Sequence, residues 1–580
     1  MLPWFDPPQQ PTTASVAMSF VRSLNDVETR LCTAVNVAIQ KGDAHQLQSI
    51  VLLEPGEGGV WPPDYQELVG SLRTNYPYED EESDQRLEDL VRRVVTETAE
   101  SEDEEGRPIQ SWGALVTFLV GWMTFLRDVE IDDLVLVFEL MTELQSRANS
   151  ALQHPTKGIM MLPTIMYYAK VFARVAIGLD KRPDLAQELM FEVDEDGQRE
   201  SLPEKAANIV RQAFIICLND RYTVPGGIKD GKPDGKKVGI YKMANICLRT
   251  LFQADKLGSC ETIFNNISNS SPPLHIYPAA DRITYLYYLG RYQFSNANFY
   301  AAQLVLELAY RGCHQQCLRQ RRLIAVLLVA ANIILGRIPN DIIYSDPACR
   351  GFREVFQPLT HAIRKGDLET FRRITNLDLT HPSSSFMIEY RVFYPIGNYC
   401  EPLVWRSLLR KIFILNAQVG DKTNAAALLD LHACAHIFQH LETRSLIKNA
   451  ALAAQAHDPR RNMGHLYQDY AATIKSTYVD PDFEGLPDVV PYTHQYDELE
   501  MECICGSLIT QGYINAYIAQ AKQKMAVQGV KGGNVDQGFY LPWKVNKENN
   551  DDEVVGWKKE ANGGDGGKVV RLTFAAPAGS

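Results

Sequence analysis

Residues 281–314 read D-R-I-T-Y-L-Y-Y-L-G-R-Y-Q-F-S-N-A-N-F-Y-A-A-Q-L-V-L-E-L-A-Y-R-G-C-H, and residues 315–339 continue Q-Q-C-L-R-Q-R-R-L-I-A-V-L-L-V-A-A-N-I-I-L-G-R-I-P. Ile283, Leu286, Gly290 and Phe294 recur at helical spacing, with Tyr285, Tyr288 and Tyr292 on a neighbouring face. After Ser295-Asn296, the residues Phe299, Ala302, Leu306 and Ala309 recur at steps of three, four and three. Small residues where two helices approach closely make this one helix-turn-helix repeat of tetratricopeptide type. A third helix starts basic (Arg319, Arg321, Arg322) and turns apolar from Leu323 to Leu335. Gly336 sits in the C-cap position and Pro339 closes the element. The stretch predicts the packed centre of a mainly α, helical-repeat solenoid.

Working outward, one short motif occurs twice. A-I-Q-K-G-D-A-H-Q-L-Q-S-I (38–50) and A-I-R-K-G-D-L-E-T-F-R-R-I (362–374) share their register. In each, the spacing predicts that Lys-Gly-Asp ends one helix in a left-handed glycine cap and starts the next with Asp as N-cap. The same turn far apart in the chain favours a repeat architecture over a single bundle.

The net charge of −13 is an average over two unlike parts. Residues 1–110 hold 8 Lys/Arg against 21 Asp/Glu, and the remaining chain holds 50 of each. Within that neutral body, residues 308–375 carry 11 basic residues against 5 acidic ones, so the average does not exclude a face for an anionic partner. Eleven cysteines without paired spacing, several inside apolar helices (Cys217, Cys247, Cys434), read as reduced thiols of a cytosolic or nuclear protein. The apolar runs Trp112–Leu126 and Leu323–Gly336 fall short of the roughly 20 residues of a spanning helix. With no signal-peptide pattern at the start, a soluble protein without membrane contact is expected.

Five regions follow. Residues 1–76 read as an N-terminal helical extension. Residues 77–110 read as an acidic linker flanking one short helix near Leu87–Val95, and both are expected to be dispensable for the folded body. Residues 111–395 form the helical-repeat region. Residues 396–528 read as helix (Val404–Asn416), helix (Ala426–His440), an insertion (441–492), a third helix (Asp497–Gly512) and a short strand from Tyr513, the order of a winged-helix module. Residues 529–580, Gly-rich and of mixed charge, read as a disordered tail.

Motifs for catalysis are missing. Gly226–Lys232 matches the start of a phosphate-binding loop, but Pro233 stands where Ser or Thr must ligate magnesium, and no strand precedes it. A flexible inter-helix loop is the plainer reading, and a nucleotide-dependent enzyme using that loop is the least favoured one. Cys313, His314 and Cys317 lack a second pair at metal spacing. No catalytic residue, metal or cofactor is expected, and the chain is read as a non-enzyme.

The runs Y-Y-L-G-R-Y (287–292), A-A-x-x-x-L-x-L-A-Y-x-x-C-H (301–314) and R-R-L-I-x-x-L-L-x-x-x-x-x-I-L-G-R-I-P (321–339) resemble one PCI-domain subfamily. The helix that begins K-K-V-G-I-Y-K-M-A-N and the following D-K-L turn are similar to it as well. PCI domains join helical repeats to a winged helix in the proteasome lid, the signalosome and translation initiation factor three. This spacing resembles the PCI subunit of the TREX type two transcription and mRNA-export complex, and its signalosome-associated paralogue. The likeness spans about residues 200–440 and 493–530. The long acidic N-terminus, the 441–492 insertion and a less polar third helix depart from the pattern.

The resemblance implies a non-catalytic scaffold, nuclear and nuclear-pore associated, coupling transcription elongation to mRNA export. It further implies three kinds of partner: a large PCI-like scaffold protein met edge-on by the winged helix, a small acidic disordered subunit shared with the proteasome lid, and RNA or DNA bound non-specifically. A splicing- or signalosome-linked paralogue is the alternative. Residues 401–530 count 11 basic against 14 acidic residues, and the third helix carries Asp497, Glu498, Glu500 and Glu502, which argues against reading a major groove. Phosphate-backbone contact is left to Arg406, Arg410 and Lys411 on the first helix and to Lys522 and Lys524 after the strand; a merely solvated helix face explains them as well. By charge, Arg319, Arg321, Arg322, Arg353, Arg364, Arg372 and Arg373 suit the acidic partner.

Overall fold

The computed structural model describes residues 26–55, 61–96 except 79 and 81, 111–182 except 131, 201–375, 382–417, 427–445, 495–530 and 535–557, with a few isolated positions besides. Successive helices pack on their sequence neighbours. Ala279–Ser295 lies against Phe299–Gly312, which lies against Leu318–Ile334, and the pattern extends back through Ile240–Gln253, Leu202–Leu218, Leu162–Asp180, Leu134–Leu152 and Gly113–Asp128. This is the expected α-helical repeat.

The close approach in the quoted stretch has a simple cause. A Cβ on Gly290 would stand 2.5 Å from Leu306 Cγ, so the glycine lets the second helix of the pair seat Ala302, Leu306 and Ala309 out of solvent. The inward face differs from the periodicity argument, however. Ile283 is only half-buried, whereas Tyr285 is wholly buried among Tyr241 (ring centroids 4.8 Å) and Phe264 (5.9 Å). The helix Leu318–Ile334 ends as expected. Gly336 adopts φ 87°, its N–H donates to the Ile333 carbonyl, and Arg337 N–H donates to that of Asn332, the paired bonds of a Schellman cap.

Both Lys-Gly-Asp turns form. Gly42 has φ 67° and Asp43 accepts from the amides of His45 and Gln46; Gly366 has φ 65° and Asp367 accepts from that of Thr370. The loop at 222–237 is ordered rather than loose. Ile228–Lys229 pairs with Lys232–Pro233 as a short hairpin, and Lys236 is buried with its ammonium on the carbonyls of Gln153 and His154. The next α-helix begins only at Ile240, so Gly226–Lys232 opens no helix N-terminus onto a phosphate.

The N-terminal part is not an appendage. Helices Val27–Lys41, Ala44–Ile50, Pro63–Asn75 and Ser83–Val94 share one continuous core with the repeats, through Leu31, Val35, Leu47, Leu68, Leu72 and Leu87. The indole of Trp122 donates to the Leu52 carbonyl at 2.9 Å and the Tyr168 hydroxyl to that of Val51 at 3.1 Å. Arg127 reaches Asp84 at 3.0 Å, inside the stretch read as linker. Acidic composition misled because Asp84 and Asp89 lie on the outer face of the short amphipathic helix Ser83–Val94, whose Leu87, Leu90 and Val91 are buried. The stretch Lys157–Asp180 is long and apolar enough to cross a bilayer, but most of it is buried, including Ile165, Tyr168, Phe172 and Ala176, and it serves as a core helix.

Candidate nucleic-acid and partner interface

The C-terminal module is built as helix Phe393–Asn416, strand Ala427–Asp430, helix Leu431–Ser445, helix Glu498–Thr510, then strands Ala516–Ala519 and Lys524–Val527. The last strand lies in the middle of an antiparallel sheet, pairing Leu428 with Ala526 and Tyr517 with Ala526. This is a winged helix. The sequence argument placed Ala426–His440 in a helix, yet Ala427–Asp430 forms the first strand. Asp430 accounts for the switch, since its carboxylate accepts from the His432 amide and starts the helix there. The strand Lys524–Val527 went unread because K-M-A-V shows no clear alternation. Of the residues read as an insertion (441–492), 441–445 complete the helix Leu431–Ser445, and Thr477–Tyr478 pairs with Tyr492–Thr493 as two short strands.

The cations expected to meet phosphate divide sharply. Arg406 is buried, and its guanidinium donates to the carbonyls of Phe539 at 2.7 Å and Tyr540 at 2.9 Å. Burial, with Arg410 beside it, pulls its pKa down to about 10, so it stays charged near neutrality. It clamps the chain that follows the wing and does not share Arg410's outlook. Arg410 pairs with Asp536 at 2.9 Å at the surface. Lys411 and Lys522 are exposed, while Lys524 is half-buried within the central strand.

The seven arginines assigned to an acidic partner fare similarly. Arg321 pairs with Asp346 at 2.7 Å, donates to the Tyr310 and Cys313 carbonyls and lies on the Tyr310 ring. Arg322 sits among Phe352, Phe386 and Tyr390 and donates to two backbone carbonyls. Arg372 meets Glu401 at 2.5 Å, Arg373 meets Glu369 at 2.9 Å, and Arg353 meets Asp341 at 2.7 Å. Arg321, Arg322, Arg372 and Arg373 are held within the fold, whereas the Arg353–Asp341 pair lies at the surface. Arg319, Arg353 and Arg364 are the exposed members of the set. Sequence reasoning had no means to tell them apart, because partners lie as far away as Tyr390 from Arg322, 68 residues along the chain.

The segment after the wing, expected as a disordered tail, is instead a strap over residues 535–557; residues 558–580 lie outside the described part. Phe539 bridges Ile514, Tyr540 N–H donates to the Tyr513 carbonyl, and the short helix Pro542–Glu548 follows. Pro542 rests on Gly336, where a Cβ would clash at 2.6 Å. Trp543 stacks with Tyr300, and the Arg337 guanidinium lies 3.5 Å from the Trp543 ring centroid. The strap ends by docking on the repeat core: the buried Tyr285 hydroxyl donates to the Gly556 carbonyl at 2.8 Å and Tyr300 to Asp552 at 2.9 Å. This explains why Tyr285 faces inward. It also joins the winged helix to the centre of the solenoid.

Helical repeats and this wing order are the two halves of one known architecture, and comparison with characterised sequences agrees. The chain is similar to PCI-domain proteins. A PCI domain-containing protein of Schizosaccharomyces pombe is 23% identical over 507 residues, which is 87% of this chain and 93% of that protein. PCI domain-containing protein 2 of Danio rerio is 27% identical over 324 residues, covering 56% of this chain and 62% of its own length. A protein named CSN12 homolog in Neurospora crassa is 26% identical over 224 residues, 38% of this chain and 46% of its own. No family model matches the chain. Similarity over 87% of the chain takes in both the repeats and the wing, and the relatives include proteins named CSN12 homolog and PCI domain-containing protein 2.

Proposed function

We propose that this PCI-domain protein is a non-catalytic scaffold subunit of a nuclear complex coupling transcription to mRNA export at the nuclear pore. Its wing packs edge-on against a second, large PCI-like scaffold protein. A small acidic disordered subunit, of the kind shared with the proteasome lid, binds the assembled pair, and the pair holds RNA or DNA through phosphate without reading bases.

The observation that carries this reading is the open edge of the wing. Among the described residues, strand Ala516–Ala519 has one hydrogen-bonded neighbour, its side chain Tyr517 is 53% exposed, and Leu499 on the adjoining helix is 65% exposed. An unprotected edge beside exposed apolar residues suits a partner that continues the sheet. Lys411, Lys522 and Arg410 are the wing cations left for phosphate, with affinity expected to fall steeply with salt. The likeness to the CSN12 homolog favours a second reading, a signalosome- or splicing-linked subunit using the same edge.

Affinity purification of the tagged chain from its own cells separates the two. Recovery of a large pore-linked scaffold with a tiny acidic subunit supports export. Recovery of signalosome or splicing factors without that scaffold moves the chain to the second complex. Loss of every partner on Tyr517→Glu ties either outcome to the edge.

A further inference from the structure

A cavity of about 950 Å³ opens on the repeat region between the end of helix Leu162–Asp180, helices Ile240–Gln253 and Ala279–Ser295, and the turn at Tyr390–Arg391 that leads into the wing's first helix. Six cationic side chains line it: Arg174, Lys181, Arg182, Arg249, Arg291 and Arg391. Its acidic lining consists of Asp255 and Glu389. Arg391 is bridged to Asp255 at 2.8 Å, and Arg174 turns to Glu54 at 2.6 Å. Lys181, Arg182, Arg249 and Arg291 meet no carboxylate within bridging distance among the described residues. Cations that converge in excess of the carboxylates around them repel one another, and an anion between them relieves that repulsion.

The walls narrow the choice of anion. Arg291 is held in place, with its guanidinium 4.7 Å from the Phe252 ring centroid. Phe252 is itself stacked on Tyr288 at 5.4 Å, and Tyr287, Tyr288 and Phe294 are buried. Tyr390, half-buried, packs on Phe386 at 4.7 Å with Arg322 over its ring, so the aromatic rings described in the lining are engaged in packing, which disfavours single-stranded RNA here. The walls are helical side chains with no strand edge for a peptide backbone to join. The cations come from separate elements and converge on one cavity instead of forming a stripe along one helix. The cavity size falls within the roughly 300–1,000 Å³ of small-molecule sites, and guanidinium forks match phosphate oxygens bidentately.

We propose that this cavity binds a small molecule carrying several clustered phosphate groups, held by Lys181, Arg182, Arg249 and Arg291. The site is independent of the wing edge and of the export reading.

The test is isothermal titration of the full chain with inositol hexakisphosphate and, separately, with inorganic tripolyphosphate. Saturable one-site binding by either supports the proposal, and the tighter of the two identifies a cyclic or a linear phosphate source. Binding should raise the melting temperature by mass action. Arg249→Glu with Arg291→Glu should weaken it about tenfold per reversed charge. Lys181→Glu with Arg182→Glu, at two exposed positions, should do the same without touching the packed wall. Arg319→Glu with Arg364→Glu, outside the cavity, should leave it unchanged. Absence of heat from both phosphates overturns the proposal. So does equal weakening by the outside pair, which would mean diffuse surface charge. Tighter, cavity-dependent binding of an oligouridylate or a poly-glutamate peptide overturns it too, by giving the cavity to a macromolecule.

Discussion

The two ends of the described chain are fixed to the helical repeats by the same kind of bond but by different amounts of packing. At the N-terminal end, the backbone carbonyls of Val51 and Leu52 accept from Tyr168 and Trp122; at the C-terminal end, the Gly556 carbonyl accepts from Tyr285. In each case a buried aromatic donor of the core holds an incoming backbone. Behind its carbonyls, however, the N-terminal end brings four helices with Leu31, Val35, Leu47, Leu68 and Leu72 wholly or almost wholly buried. The C-terminal strap brings three buried apolar side chains, Phe539, Val545 and Val554, and two half-buried tryptophans, Trp543 and Trp557. One end is part of the core, and the other is a tie laid over it.

Deletion of residues 1–110 is expected to have the largest effect. Each buried Leu or Val it removes contributes about 2 kcal/mol, so the sum exceeds the roughly 5–15 kcal/mol that holds a whole domain together. The shortened chain should lose its cooperative melt and aggregate; an unchanged melt would mean that the four helices are an appendage after all. Truncation after residue 534 should be milder. It uncovers Gly336, Tyr300 and Tyr285 and strips Arg406 of both carbonyls, a loss of roughly 3–6 kcal/mol from a few contacts and orphaned donors. The expected result is a lower urea midpoint with the helical circular dichroism retained.

How much of this was legible in the sequence follows the range of the forces involved. The two Lys-Gly-Asp turns were readable to the residue because a left-handed glycine and an N-cap aspartate act within five residues. Their packing was not. A Cβ on Gly42 would meet nothing within 4 Å, whereas one on Gly366 would meet the Leu408 amide nitrogen at 2.4 Å. The repeats and the helices of the wing were likewise legible from period and caps. The candidate interface was much less so. Arg321, Arg322, Arg372 and Arg406 look like surface charge in a one-dimensional count, and each is held by a group supplied from elsewhere in the fold. The strap was unreadable for a related reason. Residues 535–557 dock through backbone carbonyls and turns, which leave little trace in hydrophobic periodicity.

Within the strap, Arg406→Ala should cost about 2–4 kcal/mol, because two backbone carbonyls lose a charged donor in a buried setting. Arg410→Ala, one turn away, should cost under about 1 kcal/mol, since its bridge to Asp536 is a surface pair. Chemical denaturation of the two variants separates them. Equal costs would mean that Arg406 is not the clamp.

Removal of a single hydroxyl gives the finest comparison of the two ends. Tyr168→Phe and Tyr285→Phe each remove one hydroxyl and leave one carbonyl, Val51 or Gly556, without its buried donor. Both should cost about 1–2 kcal/mol, because the lost bond is of one type and the ring stays to fill its space. Burial pushes both phenols well above their ordinary pKa, so each remains a donor through the neutral range and the costs should not vary with pH there. The consequences differ in place. Val51 belongs to a packed helical unit whose apolar side chains keep it seated, so Tyr168→Phe should slow or speed amide exchange little around residues 44–55. The strap has few side chains to hold it once Gly556 is released, so Tyr285→Phe should raise amide exchange at residues 549–557 by roughly tenfold while the repeats stay protected. Equal exchange at both ends would show that the strap is held by its own packing and not by the Tyr285 hydroxyl.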